Sequence, residues 1–269
     1  MKEHIAMIGA GNMARALIAG LLASGRDPGC ITATDPDPAA RRAATQDFGI
    51  AATADNAAAV ATADTIVLAV KPQVIEDVLA SIAASVAPET LIVSVAAGIP
   101  IARIERALGR PQPVVRVMPN TPALLGVGAT GMHASAACSA DQTRRTRQLF
   151  EAVGQVFEVE DEALMDVVTA ISGSGPAYFF AFAEALALAG AAAGLDPATA
   201  RGLAVQTAAG AGRMLADPDT DPADLRRRVT SPGGTTAAAL ASFEADGLAD
   251  MVGRAVAAAV DRGRELGAS

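Results

Sequence analysis

The chain has 269 residues, of which 51% are hydrophobic and 19% charged, and its formal net charge is −8. The length suits two domains, and the negative charge argues against nucleic acid or an anionic membrane surface as a partner. Two cysteines and two histidines are too few for a zinc site, and the cysteines lack the spacing of a metal or redox motif. We therefore expect a cytoplasmic protein without a metal, whose apolar surface is partly buried between subunits.

The first half of the chain alternates short β-branched runs with helical patterns, which predicts parallel strands joined by crossover helices. The predicted strands are His4–Ile8, Ile31–Thr34, Thr65–Val70, Leu91–Val95, Val114–Met118, a weaker Ala129–His133, and Gln155–Val159. The predicted helices are Met13–Ser24, Ala39–Phe48, Val74–Ala84, Ile101–Leu108 and Asp141–Val153. This order is typical of an α/β Rossmann fold with a doubly wound, mostly parallel sheet.

From Asp161 onward the pattern predicts helices alone. Asp196–Pro197 and Asp221–Pro222 each supply a helix cap followed by a first-turn proline. We therefore predict two domains, an α/β domain over residues 1–160 and an all-α domain over residues 161–269.

The longest uncharged apolar run is Val167–Ala183, which contains Gly173, Gly175 and Pro176 and is followed by Glu184. A membrane span needs about 20 apolar residues, so this interrupted run is better explained as a helix buried in an oligomer. We expect no membrane partner.

A glycine motif, Gly9-x-Gly11-x-x-Ala14, follows the first predicted strand and begins a helix. Gly9 permits the tight turn, Gly11 lets a pyrophosphate approach the N–H groups at the positive end of the helix, and Ala14 keeps the helix close to the sheet. The motif alone is also compatible with a tight turn that binds no ligand. Its position after a strand and the acid downstream favour dinucleotide binding.

That acid is Asp35, which lies 21 residues after Ala14 at the end of the second predicted strand. An acid at this position usually accepts hydrogen bonds from the adenine ribose and favours NAD. Arg41 and Arg42 follow closely and suit a 2′-phosphate, and a turn cap is the alternative role for Asp35. The choice between NADH and NADPH stays open; we expect both to bind, with NADH somewhat favoured.

Three further predicted strands end in loops that can line a cofactor, because open α/β sheets bind ligands at the carboxyl ends of their strands. These loops are Ala69–Pro72, Ala96–Gly98 and Met118–Asn120. Lys71 and Asn56 are equally compatible with helix caps. The predicted cofactor contacts are Gly9, Gly11, Asn12, Met13, Ala14, Asp35, Asn56, Ala69, Val70, Lys71, Pro72, Ala96 and Ala97.

A second glycine-rich stretch, SPGGTT at Ser231–Thr236, precedes a helix that runs from Thr236 to about Asp246. Unpaired N–H groups at a helix start and the helix dipole together make an anion site. The two glycines let the backbone fold its amides around a small carboxylate, and three hydroxyls add donors. The alternative is an elaborate N-cap, although a cap needs only one hydroxyl. SGSGPAY, Ser172–Tyr178, is compatible with close helix packing or with a floor for a flat substrate and nicotinamide.

The stretches GAGNMARAL, AVKP, AAG, RVMPNTPA, SGSGPAY and VTSPGGTT together resemble the pyrroline-5-carboxylate reductase family, from Ile5 to Leu266. The resemblance implies a Rossmann domain and a helical substrate-binding and dimerisation domain, with homodimers that often assemble into a decamer. It also implies reduction of the C=N bond of 1-pyrroline-5-carboxylate by NADPH or NADH, which gives L-proline in the last step of proline biosynthesis.

The resemblance further implies roles for individual residues. The loop Ser231–Thr236 matches the one that holds the substrate carboxylate, with Thr236 near the ring nitrogen, and Glu162 matches an acid that borders the substrate. Arg228 and Asp35 depart from the family pattern, which commonly has small polar or neutral groups there. The implied catalytic residues are Thr236 and Ser231, and the implied substrate contacts are Gly233, Gly234, Thr235 and Glu162.

Proton donors are scarce in this sequence. The lysines are Lys2 and Lys71, the one tyrosine is Tyr178, and the predicted helical domain has no lysine or histidine. Carbonyl reduction needs such a donor, whereas a cyclic imine can arrive protonated. A β-hydroxyacid dehydrogenase is the main enzymatic rival, but its lysine-bearing helix has no counterpart here. A non-catalytic dinucleotide sensor would leave SPGGTT and SGSGPAY without a role.

Overall fold

The computed structural model describes residues 3–268, and over that range the chain forms one eight-stranded sheet. The strands are β1 Ile5–Ile8, β2 Ile31–Thr34, β3 Ala51–Thr53, β4 Thr65–Leu68, β5 Leu91–Ser94, β6 Val114–Met118, β7 Gly128–Ala134 and β8 Gly154–Glu158. Their order is β3-β2-β1-β4-β5-β6-β7-β8, and each neighbouring pair is parallel except β6 with β7. The predicted doubly wound, mostly parallel sheet is confirmed.

Helices connect the strands and then continue alone to the end of the described range. They are α1 Asn12–Ala23, α2 Pro38–Phe48, α3 Asn56–Val60, α4 Ile75–Ile82, α5 Ile101–Leu108, α6 Ala140–Glu151, α7 Met165–Val168, α8 Gly175–Ala192, α9 Pro197–Leu215, α10 Pro222–Arg228, α11 Thr235–Ala245 and α12 Leu248–Ala268. The helices predicted between strands are confirmed, with ends that differ by at most two residues. Asp196 and Asp221 cap α9 and α10 as predicted.

Two short elements escaped prediction. Strand β3 is three residues long and lies at the sheet edge, and α3 is a five-residue helix made mainly of alanine. The cap of α3 is Asp55, whose carboxylate accepts a hydrogen bond from the Ala58 N–H at 3.0 Å. The alternative that Asn56 caps this helix is therefore wrong, since Asn56 is its first helical residue.

Side-chain alternation along β1 divides the hydrophobic core between the two faces of the sheet. Ile5 and Met7 point into the cluster that contains Leu17 of α1 and Phe150 of α6. Ala6 and Ile8 belong to the opposite cluster, which α4 and α5 cover. Helices cover both faces of the sheet, so ligands cannot bind there. Open α/β sheets of this kind bind ligands at the carboxyl ends of their strands.

The chain changes from strand to helix after β8, but its contacts change later. One compact unit contains the described residues up to Ser174 and those from Ala259 onward, and the other runs from Gly175 to Ala258. The helical residues between Glu158 and Ser174 belong to the first unit because they pack on the sheet. Val168, for example, packs directly against Gly131 of β7, which has no side chain to obstruct it. The functional division into residues 1–160 and 161–269 stays a prediction.

The second unit exposes much of its apolar surface within a single chain. Phe179 is 70% and Phe180 68% exposed, whereas Phe182 pairs with Phe243 at a ring-centroid distance of 6.0 Å. Within residues 3–268, one helical run, Glu162–Ala192, is long and apolar enough to cross a membrane, and 6% of its most apolar window is buried. A helix that packs against helices of another subunit has the same apolar composition. Contact with a partner subunit is therefore the alternative to a membrane for burying this run.

Gly154 at the start of β8 offers a test of the packing between β7 and β8. Its φ is +154°, and an added Cβ would overlap the backbone of Gly128. We expect Gly154→Ala to lower the free energy of unfolding by about 3 kcal/mol, from overpacking and backbone strain combined. Gly25→Ala is the matched control, because Gly25 has φ +91° with open space around it, and it should cost about 1–2 kcal/mol. Equal losses in urea unfolding would contradict this account.

Candidate active site

The turn between β1 and α1 has the shape that a dinucleotide pyrophosphate requires. Gly9 has φ +99°, and a Cβ there would lie 2.5 Å from the Ala69 carbonyl oxygen and 3.2 Å from Val70 Cγ1. This glycine therefore lets the loop after β4 approach the turn. Gly11 is the N-cap of α1 and has open space where a side chain would be. Among the described residues no side chain caps α1, so its first amides remain available to an anion.

The remaining residues of the motif occupy the first turn of α1. Asn12 and Met13 begin the helix beside Gly11, and Ala14 is fully buried in the cluster under the sheet. The structure thus brings the predicted contacts Gly9 to Ala14 together with Ala69 and Val70. These residues fit a dinucleotide, since the glycine turn leaves room for phosphate and the helix start supplies donors.

Asp35 stands beside the same turn. Its Oδ2 accepts a hydrogen bond from the Ala10 N–H at 3.0 Å, and its Oδ1 accepts one from the Asp37 N–H at 2.9 Å. The turn-cap alternative for Asp35 is thus present, together with a tie to the glycine turn. Asn56 follows β3, which pairs with β2 in parallel. It therefore lies at the same carboxyl end of the strands as Asp35.

The loops after β4 and β5 contain the remaining predicted cofactor contacts. Lys71 is exposed, and its side chain does not cap the 3₁₀ turn that begins at Pro72. Ala96 is buried and Ala97 half-buried. Gly98, at φ +75°, leaves room for Leu266 near the end of α12. The packing of the C-terminal residues on this loop was missed from the sequence, where no pattern links two segments so far apart.

The start of α11 is open in a similar way. Its N-cap is Gly234, and across the described chain no side chain caps it. The Gly234 N–H donates to the Ser231 carbonyl at 3.0 Å, and Gly233 adopts φ +68°, so the stretch Ser231–Gly234 forms a turn. Ser231 and Thr235 are exposed, and Thr236 is half-buried. The side-chain N-cap considered for SPGGTT is therefore not the arrangement found.

Several other helices of this protein are capped by a side chain. Within residues 3–268, helices α2, α3, α6, α9 and α10 each begin with an aspartate or serine whose side chain accepts an N–H from the first turn. Helices α1 and α11 begin on glycine without such a cap, and neither has an acid in its first turn. Their amides and positive dipole ends are therefore not neutralised by the chain itself.

Glu162 is half-buried and belongs to an ionic network around the buried Arg116. Its Oε1 accepts a hydrogen bond from the Ile101 N–H at the start of α5, at 2.8 Å, and lies 3.3 Å from Arg116 Nη1. Arg116 is 6% exposed, and its Nη2 lies 3.3 Å from Asp166 Oδ1. Two carboxylates thus compensate one buried guanidinium, as burial of a charge requires. Glu162 ties β6 to α5 through Oε1.

A wide π-type turn at Thr169–Gly173 leads into the segment SGSGPAY and overlaps its first two residues. Pro176 has no N–H, so the carbonyl of Ser172, four residues earlier, loses its helical donor. Asn120 Nδ2 donates to that carbonyl at 3.0 Å, and Asn120 Oδ1 accepts the Ala129 N–H at 2.9 Å. The side chain of Asn120 in the MPN loop is therefore a structural clamp, which residue spacing alone did not indicate.

Both histidines are already hydrogen-bonded to other groups of the protein. His4 Nε2 pairs with the Thr32 hydroxyl at 3.0 Å, and His133 Nδ1 with the Val159 carbonyl at 3.0 Å. Burial raises the pKa of the Cys138 thiol, which disfavours a reactive thiolate. In the described part of the chain no group of three His, Cys, Asp or Glu side chains is arranged for a metal ion.

Family models match both halves of the chain. The model described as pyrroline-5-carboxylate reductase dimerisation matches residues 162–266. A second model, described as NADP oxidoreductase coenzyme F420-dependent, matches residues 4–98. The chain therefore carries a dimerisation domain of the first kind and a domain of an NADP-dependent oxidoreductase family.

Full-length relatives show the same relationship. The pyrroline-5-carboxylate reductase of Pseudomonas aeruginosa is 51% identical over 98% of this chain and 96% of its own. The structure of a pyrroline-5-carboxylate reductase from Coxiella burnetii matches with a TM-score of 0.94 and 38% identity, over 99% of both chains. That of Plasmodium falciparum pyrroline carboxylate reductase with NADP bound has a TM-score of 0.84 and 29% identity, again over 99% of both chains. The chain belongs to the pyrroline-5-carboxylate reductase family.

Proposed function

We propose that this protein reduces the C=N bond of 1-pyrroline-5-carboxylate to give L-proline, the last step of proline biosynthesis, with NADPH or NADH as reductant. The observation that carries the proposal is the start of α11, where glycine and the lack of a side-chain cap leave amides and a dipole end for a small carboxylate. Family membership over almost the whole chain supports it.

In this proposal the loop at α11 binds the substrate carboxylate. The amides of Gly233 and Thr235 and the hydroxyl of Ser231 donate to the two oxygens, and Gly234, whose N–H is bonded to the Ser231 carbonyl, shapes the turn beside them. Each hydrogen bond to a charged group contributes about 1.5–3 kcal/mol, and the helix dipole adds about 0.3–1 kcal/mol. The first turn of α11 holds no acid that would compete with the ligand.

Thr236 holds the ring nitrogen, with its hydroxyl oxygen accepting the N–H of the protonated imine. Bound NADH or NADPH would supply the hydride. The glycine turn and the start of α1 would hold the pyrophosphate of this cofactor, through Gly9, Gly11, Asn12, Met13 and Ala14. A new C–H bond forms at the imine carbon, and the π electron pair moves to nitrogen, which already carries its proton. The product is a secondary amine, so the enzyme needs no strong acid; positioning and electrostatics supply the acceleration.

The other predicted site residues have supporting roles. Asp35 and Asn56 serve the adenosine end of the cofactor, whereas the loops Ala69–Pro72 and Ala96–Ala97 serve the nicotinamide end. Glu162 borders the substrate through Oε2, which has no partner among residues 3–268, while Oε1 stays bonded to the Ile101 N–H.

An assay of substrate classes tests this function directly. NADH or NADPH oxidation is followed with pyrroline-5-carboxylate, and the reverse reaction is followed with 3-hydroxyacids. We expect turnover with the imine alone. Turnover with hydroxyacids would instead support a β-hydroxyacid dehydrogenase, and cofactor binding without turnover would support a sensor.

Two hydroxyl deletions separate binding from chemistry in the α11 loop. Thr236→Ala should lower kcat at least about tenfold, the value of one lost hydrogen bond in the transition state. Ser231→Ala should mainly raise KM for the imine, about tenfold, because the carboxylate is bound equally in both states. Ser242→Ala removes an exposed hydroxyl from the same helix and serves as the control. Wild-type kinetics for both loop variants would show that the assignment is wrong.

We also propose that the protein works in the cytoplasm as a homodimer that assembles further into a decamer, with neither nucleic acid nor membrane as a partner. The exposed apolar helix α8 supports a partner subunit as its cover. Phe179→Glu should therefore shift the mass in detergent-free sedimentation towards the monomer, since a buried charge is costly. Phe157→Glu, on β8 of the first unit, is the control. A monomeric wild type, or one that requires detergent, would contradict the dimer.

A further inference from the structure

The loop after β5 is a tight turn that depends on one glycine. The Ala96 carbonyl accepts the Ile99 N–H at 3.5 Å, and Gly98, the third residue of this turn, has φ +75°. A positive φ at the third position is typical of a type II turn and favours glycine. The Ala96 N–H donates to the hydroxyl of the fully buried Ser94 at 3.4 Å. The β5 turn, Ala96–Ile99, is therefore anchored to the strand end that precedes it.

The last two turns of α12 pack against the β5 turn. A Cβ on Gly98 would lie 3.3 Å from Leu266 Cβ and 3.5 Å from the Gly263 carbonyl oxygen. A Cβ on Gly267 would lie 2.6 Å from the Gly98 carbonyl oxygen. Gly263 and Gly267 are four residues apart and so lie on one face of the helix. Glycine on both sides lets the two backbones approach more closely than side chains would allow.

A second contact holds the chain just after the β5 turn. The Ile101 N–H donates to Glu162 Oε1 at 2.8 Å. The same oxygen lies 3.3 Å from Nη1 of the buried Arg116. The turn is therefore held on one side by α12 and on the other by a carboxylate that is itself fixed by a buried guanidinium.

Arg116 also connects these two contacts. Its Nη2 lies 3.3 Å from Asp166 Oδ1. The atoms that a Cβ on Gly263 would meet all belong to Asp166, at 3.4–3.5 Å. One guanidinium thus orients both Glu162, which bonds the chain after the β5 turn, and Asp166, against which α12 packs. All of these residues belong to the first compact unit.

We infer that the end of α12 is a positioning element for the reduced nicotinamide, because Gly263 and Gly267 fix the β5 turn whose residues Ala96 and Ala97 would contact the ring. The inference rests on the proposed function for the use of a nicotinamide cofactor, and it adds a distant segment that sets the position of the ring. Hydride transfer depends steeply on that position, since a misplacement of about 1 Å can cost about a hundredfold in rate. The pyrophosphate would be bound by a different turn, at Gly9–Ala14, and should not depend on α12.

Two variants at the end of α12 disturb the contact in different ways. Gly267→Ala places a methyl group against the Gly98 carbonyl, whereas a chain that ends after Leu266 removes the contact without a clash. Each should lower kcat with pyrroline-5-carboxylate at least about tenfold, because the ring is no longer held at the reacting distance. Glu265→Ala is the control in the same helical turn; Glu265 is exposed and pairs with Arg262. Since exposed pairs contribute little, this variant should keep kcat within about twofold of wild type.

Binding measurements without imine separate positioning of the ring from general damage. Calorimetric titration compares NADPH with 2′-phospho-ADP-ribose, which is the same cofactor without its nicotinamide. Both variants should bind this fragment within about twofold of wild type, since distant sites are nearly independent. The fluorescence of bound NADPH should shift towards that of the free cofactor, because its ring is held less firmly. The melting temperature should fall by less than about 4 °C, as expected for a small change at the end of a helix.

Unchanged kcat in both variants would overturn the inference, and so would an equal loss in Glu265→Ala. Loss of kcat in Gly267→Ala alone, with wild-type turnover in the shortened chain, would show steric damage and would also overturn it. Parallel weakening of NADPH and fragment binding would do the same, since the contact would then support the whole cofactor domain. If Gly267→Ala fails to fold, the shortened chain decides. Failure of the proposed function is distinguishable, because wild type itself would then not oxidise NADPH with the imine, whereas the binding and fluorescence comparison needs no imine.

Discussion

The protein depends on amides that two helices leave unpaired at their first turns. An unsatisfied N–H group costs free energy unless water or a ligand accepts it, and elsewhere this chain supplies acceptors readily, as the aspartate and serine caps of α2, α3, α6, α9 and α10 show. At α1 and α11 it supplies glycine instead. The contrast is strongest at α11, where Ser231 precedes the cap position and Thr235 and Thr236 begin the helix, yet among the described residues no side chain caps it. Both helix starts suit anions, a pyrophosphate at the first and a small carboxylate at the second.

The sheet and its anchors explain how the first of these helix starts is held. Parallel strands place the loops after β1, β2, β4 and β5 at one end of the sheet, and Gly9 allows two of these loops to touch. The buried Arg116, balanced by Glu162 and Asp166, fixes β6 to the helical residues that follow the sheet. Removing either acid would leave a buried guanidinium undercompensated. The edge is thus held rigid by packing and charge, which a bound cofactor requires.

Much of this arrangement is predictable from the sequence, and the exceptions have physical reasons. The strands with β-branched runs, the caps at Asp196 and Asp221 and the glycine motif are local signals, and the structure has each of them. Strand β3 was missed because three residues are too few to show the alternation of a strand. Asn56 was considered as a cap because the true cap, Asp55, is its immediate neighbour. Distant contacts carry no local pattern, so the bonds of Asn120 to Ser172 and of Glu162 to Ile101 were not foreseen. The roles of the individual site residues remain predictions.

The most direct test of the account is a crystal structure of the protein with bound L-proline. We expect the carboxylate oxygens of proline to lie about 3 Å from the backbone amides between Gly233 and Thr236, with the ring nitrogen at the Thr236 hydroxyl. Proline bound away from this loop, with the amides at the start of α11 turned to other groups of the protein, would contradict it.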